Sequence, residues 1–71
     1  MATFIEKEVL IEAASYTAGV IRRFPGQTDE TKRLAKQVGE MGYNYLHSKA
    51  EDLDFYKEVE ILRKMRAPYE K

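Results

Sequence analysis

The sequence predicts an all-α protein, an antiparallel helical hairpin followed by a C-terminal helix. Three observations carry this. Apolar residues recur at helical spacing from Ile5 to Phe24, from Leu34 to Tyr45 and from Leu53 to Met65. Pro25-Gly26 and Pro68 fall where two of those runs stop. Thr28, followed by Asp29 and Glu30, supplies a helix start directly after the first break.

The first helix is expected over about 3–24. Its stripe runs through Ile5, Val9, Ala13, Thr17, Val20 and Phe24, widened by Leu10, Ala14, Ala18 and Ile21. Glu6, Glu8 and Glu12 lie toward its N-terminus and Arg22 and Arg23 in its last turn, as the macrodipole favours. Proline cannot continue the ladder, and glycine allows a turn over 25–28. The second helix, about 29–47, carries Leu34, Val38, Met41 and Tyr45. A turn centred on Pro25-Gly26 sets Leu34 opposite Thr17, Val38 opposite Ala13 and Met41 opposite Leu10. Gly39 and Gly42 each cost about 0.8–1 kcal/mol relative to alanine inside this helix. Either they let the helix approach Ala13, Ala14, Ala18 and Gly19 closely, or they open a groove for a partner's backbone or a ligand.

The C-terminal third leaves two arrangements open. Leu53, Phe55, Tyr56, Val59, Ile61, Leu62 and Met65 have helical spacing, with Glu60 and Lys64 placed to pair and Pro68 setting an end near Arg66. Ser48-Lys49-Ala50-Glu51 has the form of a capping box, which starts a separate helix over about 49–66. Yet no glycine or proline lies between His47 and Ala67, so this helix is also readable as continuous with the second. The first case is a three-helix bundle. The second leaves Phe55, Tyr56, Val59 and Leu62 on an overlong arm that self-associates.

Seventy-one residues make one domain, with only about 60% of the unfolded surface buried. There is no cysteine, so disulfides and thiolate metal sites are excluded and the cytoplasm is the expected compartment. Lys plus Arg number 12, as do Asp plus Glu, so no overall field draws the chain to nucleic acid or a membrane surface. The charges are zoned all the same: acidic over 1–13, basic over 22–36, acidic over 49–60, and basic again from Arg63 to Lys71. Basic residues split into two separated clusters do not suit nucleic acid. The longest apolar run is broken by Glu12 and is too short to span a bilayer. Glu6 and Glu8 stand where a signal peptide would be basic.

No catalytic constellation is visible. His47 and Ser48 are neighbours in sequence and so point about 100° apart on a helix. Glu51 follows, without the Glu-x-x-His repeats of carboxylate metal bundles. Gly39-Glu40-Met41-Gly42 is too short for a phosphate loop. The expectation is a non-enzyme with neither cofactor nor metal. Five tyrosines are better evidence of function, because tyrosine gives large contact area at low entropic cost. Tyr45 and Tyr56 are expected at the core edge, Tyr16 and Tyr43 beside the stripes and Tyr69 in the tail. At the hairpin tip, Arg22, Arg23, Lys32 and Arg33 are expected to converge on the second helix's N-terminus, where an anion is favoured.

The series Ala14-x3-Ala18-x2-Ile21-x3-Pro25-x4-Glu30-x3-Leu34-Ala35 is similar in rhythm to the short hairpins of phage proteins that sequester cyclic-nucleotide immune signals. The likeness covers about a third of the chain and transfers no binding residue. Two functional expectations follow from the residues. The first is a helical adaptor or inhibitor that binds a larger protein or itself through an apolar, tyrosine-bearing face formed by Phe55, Tyr56, Val59, Leu62 and Tyr43. The alternative is a small protein that binds or sequesters a phosphate-bearing ligand at the basic tip or in a groove between subunits.

Overall fold

The N-terminal start of the chain caps itself. Thr3 accepts a hydrogen bond from the Glu6 N–H at 3.1 Å, and the Glu6 carboxylate accepts one from the Thr3 N–H at 2.9 Å. This reciprocal box opens α1, Phe4–Arg22, in a computed structural model that describes residues 1–70. Lys71, counted above in the basic tail, lies outside the described residues. α2 spans Asp29–His47 and α3 spans Phe55–Arg66, with short 3-10 turns at Ala50–Asp52 and Ala67–Tyr69. The fold is therefore all-α, a helical hairpin plus a separate C-terminal helix. No helix among the described residues is long and apolar enough to cross a membrane.

α1 stops at Arg22, two residues short of the expected end. The Gln27 amide folds back and donates to the carbonyl oxygens of Ile21 at 2.7 Å and Phe24 at 2.8 Å. These bonds complete the end of α1, where the Ile21 carbonyl also accepts from the Phe24 N–H at 3.2 Å. Gly26 is not needed for its backbone freedom, since no described glycine has positive φ. A Cβ there would lie 3.1 Å from the Phe24 ring, which would have to give by a few tenths of an ångström. Thr28 caps α2 as expected, accepting from the Thr31 N–H while the Thr31 hydroxyl accepts from the Thr28 N–H at 2.9 Å.

The break after α2 differs from expectation. Ser48 closes α2 rather than opening the next helix; its hydroxyl donates to the Asn44 carbonyl at 2.6 Å. The Asp54 carboxylate caps α3 by accepting from the Lys57 N–H at 3.2 Å, so the helix begins at Phe55 and not near residue 49. Extended backbone at Ser48, Lys49, Leu53 and Asp54 breaks the ladder without glycine or proline. Glu60 pairs with Arg63 at 3.3 Å instead of with Lys64.

α1 is the element against which both other helices pack, while α2 and α3 make little contact with each other. Its buried positions are Thr17, from the expected stripe, and Leu10, Ala14, Ala18 and Ile21, which were expected only to widen it. Ile5 is 72% exposed and Val9 42%. The hairpin register is shifted as well. Gly42 meets Ala14, more than a turn along α1 from the residue that the Met41–Leu10 pairing would give it. The small residues draw the two helices together there.

Polar contacts fix α3 to its neighbours. Arg66 donates to the Thr17 hydroxyl at 3.3 Å and lies 5.3 Å above the centre of the Tyr16 ring. Its Nε is 3.2 Å from the Glu70 carboxylate, an ion pair without hydrogen-bond alignment. On the other side, the buried Tyr45 hydroxyl donates to Glu58 at 2.8 Å. Burial, then the hydrogen bond and the charge of Glu58, push the Tyr45 phenol well above its ordinary value of 10.0.

That shift predicts a specific alkaline behaviour. Below pH 10.0 both folded and unfolded chains keep the proton, and the bond contributes in full. Above it the unfolded chain releases the proton and folded Tyr45 retains it, so stability falls as pH rises. Tyr45→Phe should lose about 1–2 kcal/mol at neutral pH, through the missing bond. It should also flatten the alkaline decline. Urea unfolding of both proteins at pH 8 and pH 11 checks this; an equally steep decline in the variant would assign it to other groups.

Candidate functional site: a groove along the hairpin

The small residues that bring α1 and α2 together also leave their outer seam unfilled. Ala14, Ser15, Ala18, Gly39 and Gly42 form a shallow floor there, with Val38 beneath and Ile11, Tyr43 and Leu46 as walls, enclosing about 290 Å³. Toward the tip it runs on into a wider hollow of about 500 Å³, through the shared residues Arg22, Gly39 and Tyr43. Lys32, Lys36, Gln27 and Glu40 complete that end. The groove is thus apolar toward the open end of the hairpin and basic toward its tip.

Its walls are unusually exposed for their chemistry. Tyr43 is 64% exposed and Leu46 55%, and Phe4, on the same line of α1 as Ile11 and Ala18, is 67% exposed. Among the described residues no carboxylate lies within 4.0 Å of the charged ends of Arg22, Lys32 or Lys36. Gln27 is no free donor, because its amide holds the end of α1. The two glycines differ. A Cβ on Gly42 would sit 3.2 Å from the Ala14 Cβ, whereas one on Gly39 would meet only the Arg22 guanidinium at 3.6 Å. Gly42 serves the helix crossing, and Gly39 opens the groove.

The residues expected to form one partner face are dispersed. Leu62 is fully buried, and Phe55 and Val59 are half-buried against the core, so α3 uses its apolar face within the chain. Tyr56 is not at the core edge but 79% exposed, with its ring edge-on to Phe55. Tyr43 alone of the five lines the groove. The basic tip is split in the same way. Arg22 and Lys32 share the wide hollow, Arg23 lines a different one beside Phe24 and Tyr69, and Arg33 lines neither. Tyr69 packs edge-on to Phe24 at 5.0 Å.

Lys36 and Leu46 are among the groove residues that the sequence reading did not single out as a site. Their signal was present in the seven-residue spacing Lys36–Tyr43 and Lys32–Gly39–Leu46. No family profile, characterised protein or solved structure matches this chain. His47 stacks on Tyr43 with ring centres 4.3 Å apart, and the Ser48 hydroxyl is engaged by Asn44. No three histidine, aspartate or glutamate side chains among the described residues converge as metal ligands.

The two glycines give opposite expectations. Gly42→Leu should overpack the crossing and destabilise by about 1–3 kcal/mol. Gly39→Ala should stabilise by up to about 0.8–1 kcal/mol, through helix propensity alone. Chemical denaturation of the two variants checks the assignment, and loss of stability in Gly39→Ala would place that residue in the crossing.

Proposed function

We propose that this is a non-enzymatic helical interaction protein, an adaptor or inhibitor that receives a helix in the α1–α2 groove. The observation that carries the reading is the pairing of a small-residue floor with exposed Tyr43 and Leu46 at its margins, while Phe4, farther along α1, is exposed as well. A floor of alanine, serine and glycine lets another backbone come close, and the aromatic and aliphatic margins give it apolar surface to cover. This is the physics of helix-in-groove recognition. Aromatic anchors of this kind carry much of the energy of interfaces.

The test compares capture by tagged bait proteins from a lysate that also contains untagged chain. Leu46→Glu sets a charge in the groove wall, and Tyr56→Glu makes the same kind of change on exposed α3. Capture, of an untagged copy or of another protein, should be lost with Leu46→Glu and kept with Tyr56→Glu. If Leu46→Glu retains everything that the wild type captures, the groove is not the docking surface.

A second reading is favoured by the basic end alone. Among the described residues, Arg22, Lys32 and Lys36 have no acidic partner within 4.0 Å, and they border a hollow of about 500 Å³ together with the Tyr43 ring. A phosphate-bearing small ligand suits that set, since charge-assisted contacts contribute about 1.5–3 kcal/mol each when well formed. Inorganic phosphate, nucleotides or cyclic dinucleotides at low salt should then raise the melting temperature of the wild type by mass action. The Arg22→Ala, Lys32→Ala double variant should not respond. No shift with any of them removes this reading.

A further inference from the structure

We infer that the occupant of the groove is a second copy of this chain, laid antiparallel across it about a two-fold axis near Ser15. The inference rests on the reading of the groove as a docking surface and names what fills it. Its basis is the pattern of residues along the seam. Glu8, Ser15 and Arg22 stand seven apart on α1, and Ser15 and Arg22 both line the groove. A step of seven drifts only about 20° around a helix, so Glu8 continues the same line. That line carries a carboxylate at one end and a guanidinium at the other, with a small residue midway.

Reversing such a line onto itself brings each Glu8 to the Arg22 of the second copy, twice, with Ser15 facing Ser15. On the neighbouring line, Ile11 comes to the level of Gly19 of the second copy, one residue from Ala18, a large side chain over small ones. On α2, Gly42 meets Ala14, so the level of Ser15 is that of Met41 and Gly42. Reversal about Met41 brings Tyr43 over Gly39 of the second copy. The bulky groove residues are toward the open end and the basic ones toward the tip, so antiparallel stacking matches shape and charge together. α1 then lies on α1 and α2 on α2, as in a four-helix bundle. The parallel arrangement would instead stack Arg22, Lys32 and Lys36 of both copies on one another, which like-charge repulsion disfavours.

Glu8 and Arg22 are both exposed, and no described ion pair engages either of them. They can therefore be exchanged without breaking an ion pair among the described residues. Light scattering with size-exclusion chromatography should give a mass twice the 8.3 kDa of the chain. Glu8→Arg alone, or Arg22→Glu alone, should weaken dimerisation at least about tenfold. The double variant, with the charges exchanged, should restore it, because the interface is self-complementary. The chain has no native cysteine, so Ser15→Cys should oxidise to a disulfide-linked dimer while Arg33→Cys, away from the groove, should not. Melting curves confirm that each variant is folded. A monomer at several hundred micromolar overturns the inference, and so does a dimer indifferent to Glu8→Arg or not rescued by the exchange. In either event, Leu46-dependent capture of another protein would leave the groove a docking surface with a different occupant. Loss of that capture as well would remove both readings.

Discussion

The structure depends on the double packing of α1. One helix supplies a buried face to α2 and another to α3, while those two scarcely meet. A chain this short cannot surround three separate helices with apolar residues, and sharing one helix reduces the demand. The two faces solve the problem differently. Toward α2, Ala14 and Ala18 allow close approach, and Gly42 lets the Ala14 methyl in. Toward α3, the buried Thr17 meets Arg66, which holds Glu70 and covers Tyr16. One seam is fastened by steric fit and the other by a branched polar contact.

The fold class was legible because helical periodicity and two prolines agree. The hairpin turn and the Thr28 cap were legible for the same reason: both rest on local chemistry. The rotation of α1 was not. Ile5, Val9 and Ala13 read as well as Leu10, Ala14 and Ile21 when only apolarity is counted, and the choice between them is made by a second neighbour that no local pattern reports. The start of α3 was lost for a related reason. Ser48-x-x-Glu51 and Asp54-x-x-Lys57 both offer a capping side chain, and Ser48 is engaged by the end of α2. The box at Thr3 and Glu6 was legible all along in the Thr-x-x-Glu spacing.

The groove was half visible in the sequence. Gly39 and Gly42 announced either a close crossing or an opening, and the structure assigns one glycine to each. The expected partner face failed because Phe55, Val59 and Leu62 were judged without knowing that α3 folds back on α1. Exposed apolar area remains at Tyr56 on α3 and, on the hairpin, at Ile5, Phe4, Tyr43 and Leu46. The four tip cations separated because Arg22 and Arg23, adjacent in sequence, point about 100° apart on the helix.

The placement of α3 also orders the folding reaction. The hairpin closes over a short loop, whereas the Arg66–Thr17 contact joins residues 49 positions apart. Local contacts form faster than distant ones. The hairpin, and with it the groove, is therefore expected to assemble before Leu62 finds its place. The surface assigned to recognition would then be presented to its surroundings earlier than the core that finally supports it.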